Sequence, residues 1–422
     1  MPARAGSDKY PAATRARLDA MTGTFRYENP DIIHFGLGCV GESLSAELDR
    51  FGAQRAFLVT TASAGKGAGR AVAEVLGKRL AGRYDRITQH SPVASVMEAA
   101  TAAREARADV LVSAGGGSPI DAAKAAAFAL ATGLDLRDPA SLAKARGASP
   151  KGALPHLAVP TTLSVAELSG SAGFSAESSR EKVGVAAREL RPAAVFYDGT
   201  LAVDTPMDLW LSTGVRAVDH AVETIFAEGE HPLPDATAAE SLRRMPKALL
   251  AAKADPRNAE ARGEGQIAAW LSYLLPGPAA RGLSHTLGKR IGSRHGIPHG
   301  VTSCLLLPHV IRFLGPRKPQ ALDRLRAALG PDPAAAIADL VGRLGLPQHL
   351  SEWKLTEPDL QEAVAPLTGK PWSEANFEAA AQALAKDYRP LSDLRGSAEY
   401  RLAAAANLVR GLWLEPESLL DV

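Results

Sequence analysis

Two patterns of apolar spacing divide the chain. Up to about residue 205, short apolar runs alternate with longer segments rich in Ala, Leu, Glu and Arg. The runs are DIIHFG (31–36), RAFLVTT (55–61), ADVLVSAGGG (108–117), PHLAVPTT (155–162) and AAVFYD (193–198), each ending in Gly, Ser, Thr or Asp. Unbroken apolar character in so short a run marks a strand covered on both faces. Residues 42–52, 68–82, 92–108 and 119–133 between them have the composition of helices. The alternation predicts an α/β fold with a mostly parallel, doubly wound sheet, whose ligands gather at the carboxyl edge of the strands. The polar, Pro-containing stretch 134–154 reads as a surface loop.

Beyond residue 205 the rhythm changes. Segments 207–228, 236–253, 258–275, 318–329, 333–344, 374–386 and 397–413 follow one another with no convincing strand between them, which predicts an all-helical C-terminal domain. LLPGPAARG, LGPRKP and LGPDP supply the turns.

Composition narrows the function. The 422 residues, 46% hydrophobic, suffice for roughly two or three cores. Lys and Arg number 48 against 46 Asp and Glu, a formal charge of +2. That balance excludes a protein whose main task is neutralising nucleic-acid phosphates. Cys39 and Cys304 are too few for a disulfide framework or a thiolate zinc site, so a reducing, cytoplasmic setting is expected. No run approaches the roughly 18 apolar residues of a membrane span. Residues 1–20 carry scattered charges; their Arg and Ala content is faintly like a transit peptide, and the plainer reading is a solvated extension.

Two glycine clusters compete for a phosphate. Gly36, Gly38 and Gly41 spell GxGxxG ahead of a helix, but Thr60 and Thr61 stand where the acidic partner of that fingerprint belongs. The other reading of this cluster is a tight lead into the first helix. Gly115, Gly116 and Gly117 directly follow a strand and precede a helix that Ser118 can cap, with Pro119 at the first helical position. Consecutive glycines let the main chain approach an anion at the positive end of that helix. Thr161, Thr162 and Ser164 follow the next strand and offer hydroxyls at the same edge.

Of ten histidines, His34, His90, His156, His231 and His349 belong to no constellation and are expected at the surface or in local hydrogen bonds. The others cluster. Arg216 and His220 are four apart and share a helix face, Glu223 follows about one turn later, and Asp219 points elsewhere. His285 and Lys289 repeat that spacing, and the turn Gly296–Gly300 presents His299 before a further apolar helix. Three imidazoles on separate elements can converge on a divalent metal or on a substrate.

Four ordered motifs, GGGSPIDAAK (115–124), PTTLSVAE (160–167), TGVRAVDHAVE (213–223) and GLSHTLGKRIGSRHGIPHGVTSCLLLPHV (282–310), resemble the iron-containing alcohol dehydrogenase family. The resemblance implies an N-terminal extension over 1–20, a dinucleotide-binding α/β domain over 21–204 and a helical domain over 205–422 carrying the substrate residues. Nicotinamide and substrate would meet in a cleft between the two domains. By resemblance, Gly115, Gly116, Gly117 and Ser118 bind the pyrophosphate, Thr161 and Thr162 lie along the cofactor, and Thr61 takes the place of the ribose-binding aspartate. Without that carboxylate, use of either NADH or NADPH is expected. A homodimer is expected from the family.

The family holds Fe²⁺ or Zn²⁺ with one Asp and three His. His220, His285 and His299 match the histidines, but Arg216 occupies the aspartate position. A guanidinium cannot deprotonate to coordinate, and at about 4 Å it repels a dication, so no metal is expected. A fixed cation can instead polarise a carbonyl or clamp a carboxylate. This resembles the maleylacetate reductase branch, which reduces the carbon–carbon double bond of an unsaturated keto dicarboxylate in aromatic compound degradation without depending on the metal. FRYENPDIIHFG and PHGVTSC look like the same branch. Arg216, His220, His285, His299 and Lys289 are then the candidate catalytic residues, with Lys289 or Arg294 available for a distal carboxylate. The rival readings are a metal-dependent dehydrogenase of small alcohols or aldehydes using His220, His285 and His299, a carbocycle-forming lyase on the same architecture, and a cofactor-binding scaffold without turnover.

Overall fold

The computed structural model describes residues 27, 29–145, 147–175, 182–229, 231–274, 282–356 and 359. The extension over 1–20 and the helices expected at 374–386 and 397–413 lie outside the described residues. All five expected strands form: β1 Ile32–Phe35, β2 Ala56–Val59, β4 Val110–Gly115, β5 His156–Pro160 and β8 Ala194–Tyr197. They join β3 Leu80–Tyr84 in one six-stranded sheet of order β1-β8-β5-β4-β2-β3, and every pairing is parallel.

Between the strands run α1 Cys39–Arg50, α2 Ala68–Leu76, α3 Val93–Glu105 and α4 Gly117–Thr132. Alternation within β2 explains the double-sided burial. Phe57 and Val59 pack on one side against Val96, Phe128 and Phe174, while Ala56 and Leu58 pack on the other against Leu44, Val72 and Phe196. After β2 the chain moves outward to β3, and after β4 it moves the other way to β5, so direction reverses between β2 and β4. The carboxyl ends of strands at such a reversal form the ligand crevice of this fold class.

Two expectations are corrected, and one element is added to those expected. The segment 68–82 is not one helix: α2 ends at Leu76, Gly77 turns the chain at φ 50°, and β3 follows. Gly82 permits that strand, because a Cβ there would stand 3.1 Å from the Phe57 ring. Residues 134–154 include a short helix, α5 Pro139–Ala145. An antiparallel hairpin, β6 Ser171–Ser175 with β7 Lys182–Ala186, also lies between β5 and β8. Its strands are short and each contains glycine, which weakens the period-two signal.

After β8 come α6 Gly199–Ala202, α7 Met207–Phe226, α8 Pro232–Ala254, α9 Ala259–Ser272, α10 Leu283–His295, α11 His299–Leu314, α12 Pro319–Leu329 and α13 Pro333–Leu344, with no strand among the described residues. The chain divides into two compact units. One comprises the sheet region up to Thr205 together with His220–Gly282, and the other comprises Pro206–Asp219 together with the chain from Leu283 onward. The helix α7 therefore begins in one unit and ends in the other. No described helix is long and apolar enough to cross a membrane.

Candidate active site

The loop after β4 is built for close approach. Gly115 adopts φ 137°, where a Cβ would also meet the Pro119 ring at 2.8 Å. At Gly116 and Gly117, added Cβ atoms would stand 3.0 Å from Thr162 Cγ2 and 3.1 Å from Ser164 Oγ. The two loops thus lie backbone against side chain at adjoining strand ends, where the Thr161 N–H donates to Gly115 O at 2.8 Å. Thr162 Oγ1 and Ser164 Oγ are buried and hydrogen-bond to nothing among the described residues. A glycine cradle with two buried hydroxyls lacking partners, at a helix N-terminus, fits the phosphates and amide of a nicotinamide dinucleotide.

Helix α4 starts at Gly117 with Gly116 as its N-cap, and no side chain caps it. Ser118 and Pro119 therefore lie one and two positions inside the helix, which corrects their expected places. Ser118 O accepts from Ser91 Oγ at 2.9 Å. The other glycine cluster is a tight lead into α1. The Gly38 and Val40 N–H groups donate to the Asp198 carboxylate at 3.0 and 3.3 Å, so a side chain from the end of β8 takes the anion's place there. Thr61, beyond β2, accepts from the Ala64 N–H at 3.1 Å and lies 3.1 Å from the Ser63 hydroxyl. Thr60 turns inward and donates to Ala114 O at 2.7 Å, tying the two loops together.

Residues that sequence reasoning passed over hold these loops. Lys124, fully buried on α4, donates to the carbonyls of Ala166 and Ser171 and pairs with Asp121 at 2.8 Å. Thr205 and Gln266 donate to Thr161 O and Pro160 O at 2.7 and 2.8 Å. The Tyr197 hydroxyl donates to Glu167 Oε1 at 2.9 Å, while Glu167 Oε2 is buried with no hydrogen-bond partner. Burial pushes the Glu167 carboxyl up to about 7, although its hydrogen bonds favour the charged form. A lone lysine in an alanine-rich helix was the available signal for Lys124; Gln266 carried none.

In the other unit, α7 presents Arg216. Its Nη1 donates to Asp219 Oδ2 at 3.0 Å and to Ser303 Oγ at 2.9 Å. The same Asp219 oxygen accepts from the Ser284 hydroxyl at 2.8 Å and the Ser303 hydroxyl at 2.6 Å. Asp219 is fully buried, and the Arg216 side chain is 12% exposed. Asp219 therefore lies against Arg216, three residues before it on α7. Of the remaining candidates, His220 is buried and lies edge-on to Tyr273 at 5.2 Å between centroids. His285 and His299 are half-buried, on α10 and at the start of α11, and Lys289 is exposed. Among the described residues, no group of three or more His, Cys, Asp or Glu side chains is arranged to hold a metal ion.

Residues 30–199 match the family Iron-containing alcohol dehydrogenase, and residues 210–385 match the C-terminal domain of the Fe-containing alcohol dehydrogenase family. The chain belongs to the iron-containing alcohol dehydrogenase family. Several of its relatives are maleylacetate reductases. That of Sphingobium indicum is 31% identical over 348 residues, covering 81% of this chain and 90% of the relative. Maleylacetate reductase 2 of Cupriavidus pinatubonensis is 35% identical, covering 74% and 80%. The crystal structure of maleylacetate reductase from Agrobacterium tumefaciens superposes with a TM-score of 0.73 at 26% identity, covering 93% of this chain and 98% of that one. Residues 357–416 also match a CO dehydrogenase flavoprotein C-terminal domain, a stretch almost wholly outside the described residues.

These findings make the protein an NAD(P)-dependent oxidoreductase of the maleylacetate reductase-like branch. The iron-containing alcohol dehydrogenase fold accounts for the parallel sheet and the helices after it.

Proposed function

We propose that the protein reduces the carbon–carbon double bond of an unsaturated keto dicarboxylate with NADH or NADPH, without requiring a metal, as a cytoplasmic homodimer. The observation that carries this reading is the Arg216–Asp219 pair. A cation stands at the position where the family resemblance expects a carboxylate ligand, and the neighbouring carboxylate oxygen already accepts hydrogen bonds from Arg216, Ser284 and Ser303. That donor set does not suit a divalent cation, and no step is assigned to one.

When bound, the reduced nicotinamide supplies the hydride. Gly115, Gly116 and Gly117 admit its phosphates, and Ser118, Thr161, Thr162 and Ser164 border them; Thr61 stands at the ribose position without a repelling charge. Negative charge grows on the substrate's ketone oxygen as hydride arrives at the conjugated carbon. Arg216, His220 and His299 meet the substrate's negative charge, and an imidazole donates the proton taken up by the carbon next to the ketone. His285 and Lys289 complete the polar lining.

The test is NADH oxidation, followed spectrophotometrically, with keto dicarboxylates and simple aldehydes, each with and without chelator. Turnover of a keto dicarboxylate that chelator leaves intact is expected, and Arg216→Ala should lower kcat/KM by about 10²–10³-fold. Activity confined to aldehydes and abolished by chelator would assign the chain to metal-dependent alcohol dehydrogenation instead.

A further inference from the structure

The way Arg216 is held specifies more than its charge. Both of its hydrogen bonds leave from Nη1, one to Asp219 Oδ2 and one to Ser303 Oγ. Nε and Nη2 donate to nothing among the described residues, and neither is among the buried polar atoms that lack a partner, so both keep access to solvent. The groups that hold the guanidinium are themselves fixed. Asp219, Ser284 and Ser303 are essentially inaccessible, and both hydroxyls converge on the carboxylate oxygen that also receives Arg216. The hydroxyl roles are consistent: Ser303 donates to Asp219 and accepts from Arg216, while Ser284 donates to Asp219.

We infer that Asp219, Ser284 and Ser303 are positioning residues that fix Arg216 by one nitrogen and leave its Nε–Nη2 edge as a two-point receptor for a substrate carboxylate. The planar guanidinium matches two carboxylate oxygens with two parallel N–H donors, and an ammonium cannot reproduce that fork. Asp219 compensates part of the charge, which reduces attraction at long range. Attraction falls with distance, however, so an anion at the open edge meets the guanidinium before it meets the carboxylate behind it. The receptor therefore selects by geometry at contact and favours a substrate bearing a carboxylate over a neutral carbonyl compound of similar size. Pre-fixing the side chain also removes an ordering cost from binding. This rests on the keto dicarboxylate reading and specifies which end of the substrate Arg216 holds.

The experiment measures succinate, an unreactive dicarboxylate, and dimethyl succinate, its neutral diester, by isothermal titration into the full chain saturated with NADH. Melting temperatures are recorded for every variant. Wild type should bind succinate in preference to the diester. Arg216→Ala should weaken succinate by at least about 10-fold, and Arg216→Lys should restore little of the loss. Ser303→Ala, which leaves the net charge unchanged, should weaken succinate by about 3–10-fold. Ser284→Ala, which reaches Arg216 only through Asp219, should weaken it less. In steady-state assays the loss should appear mainly in KM for the keto dicarboxylate, with kcat less affected.

Equal succinate binding by wild type and Arg216→Ala, or full restoration by Arg216→Lys, would overturn the receptor. So would succinate affinities in the serine variants that merely track lost stability. Arg216-dependent succinate binding without turnover of any keto dicarboxylate would retain the receptor and sink the reaction. Turnover with a KM indifferent to Arg216 would do the reverse.

Discussion

At the scale of single residues, two buried ionisable groups pull stability in opposite directions with pH. His156 lies in the core and hydrogen-bonds to Ser113 at 2.8 Å; burial holds its imidazole down to about 3. Between about 3 and its ordinary value near 6.5, the unfolded chain binds that proton and the folded one does not, so this contribution weakens as pH falls through that window. Glu167 is the converse case. Its carboxyl stands raised from 4.5 to about 7, so the folded state holds the proton longer, and stability is lost as pH rises through that interval. Glu167→Gln should therefore raise the melting temperature at pH 8 relative to wild type by a few degrees and change it little at pH 5. Equal shifts at both pH values in a thermal scan would remove Glu167 as the source. Neither environment could be read from the chain, because both follow from neighbours brought together by strand pairing.

At the scale of elements, the strand-to-helix turn at Gly115–Gly117 was legible because three adjacent glycines between an apolar strand and an Ala-rich helix have few purposes. The cap was not. Ser118 has the right chemistry for an N-cap, but the helix begins two residues earlier than expected, so the hydroxyl lies inside the first turn. The same geometry yields a prediction. In Gly116→Ala the new methyl would stand 3.0 Å from Thr162 Cγ2 and intrude where the two loops meet. KM for NADH should rise about 10-fold or more, with a melting temperature within a few degrees of wild type. An unchanged KM would move the phosphate elsewhere. The helix expected over 68–82 shows the limit of composition: Leu80–Tyr84 has residues a helix would accept, and its pairing with β2 overrides them.

At the scale of the whole molecule, the family relation sets the reaction class, and the chain's own departures set what to measure. With Thr61 where a ribose-binding aspartate is expected, kcat/KM for NADH and NADPH should differ by less than about 100-fold, roughly 3 kcal/mol. A larger preference for NADH would show that another group repels the 2′-phosphate. Family resemblance supplied the expectation of a ligand at the place of Arg216, and the sequence by itself determined the alternation of strands and helices and the carboxyl-edge glycines. Those are local properties, set by apolar periodicity and by side-chain chemistry at fixed spacing. Only the tertiary structure decided that Asp198 satisfies the first glycine turn and that Lys124 anchors the second loop. The same is true of Ser284 and Ser303, whose hydroxyls donate to the Asp219 oxygen that also receives Arg216. Such partners lie tens of residues apart, and no periodicity encodes which buried polar groups must meet; burial forces each to find a donor or acceptor, and the fold determines which one is within reach.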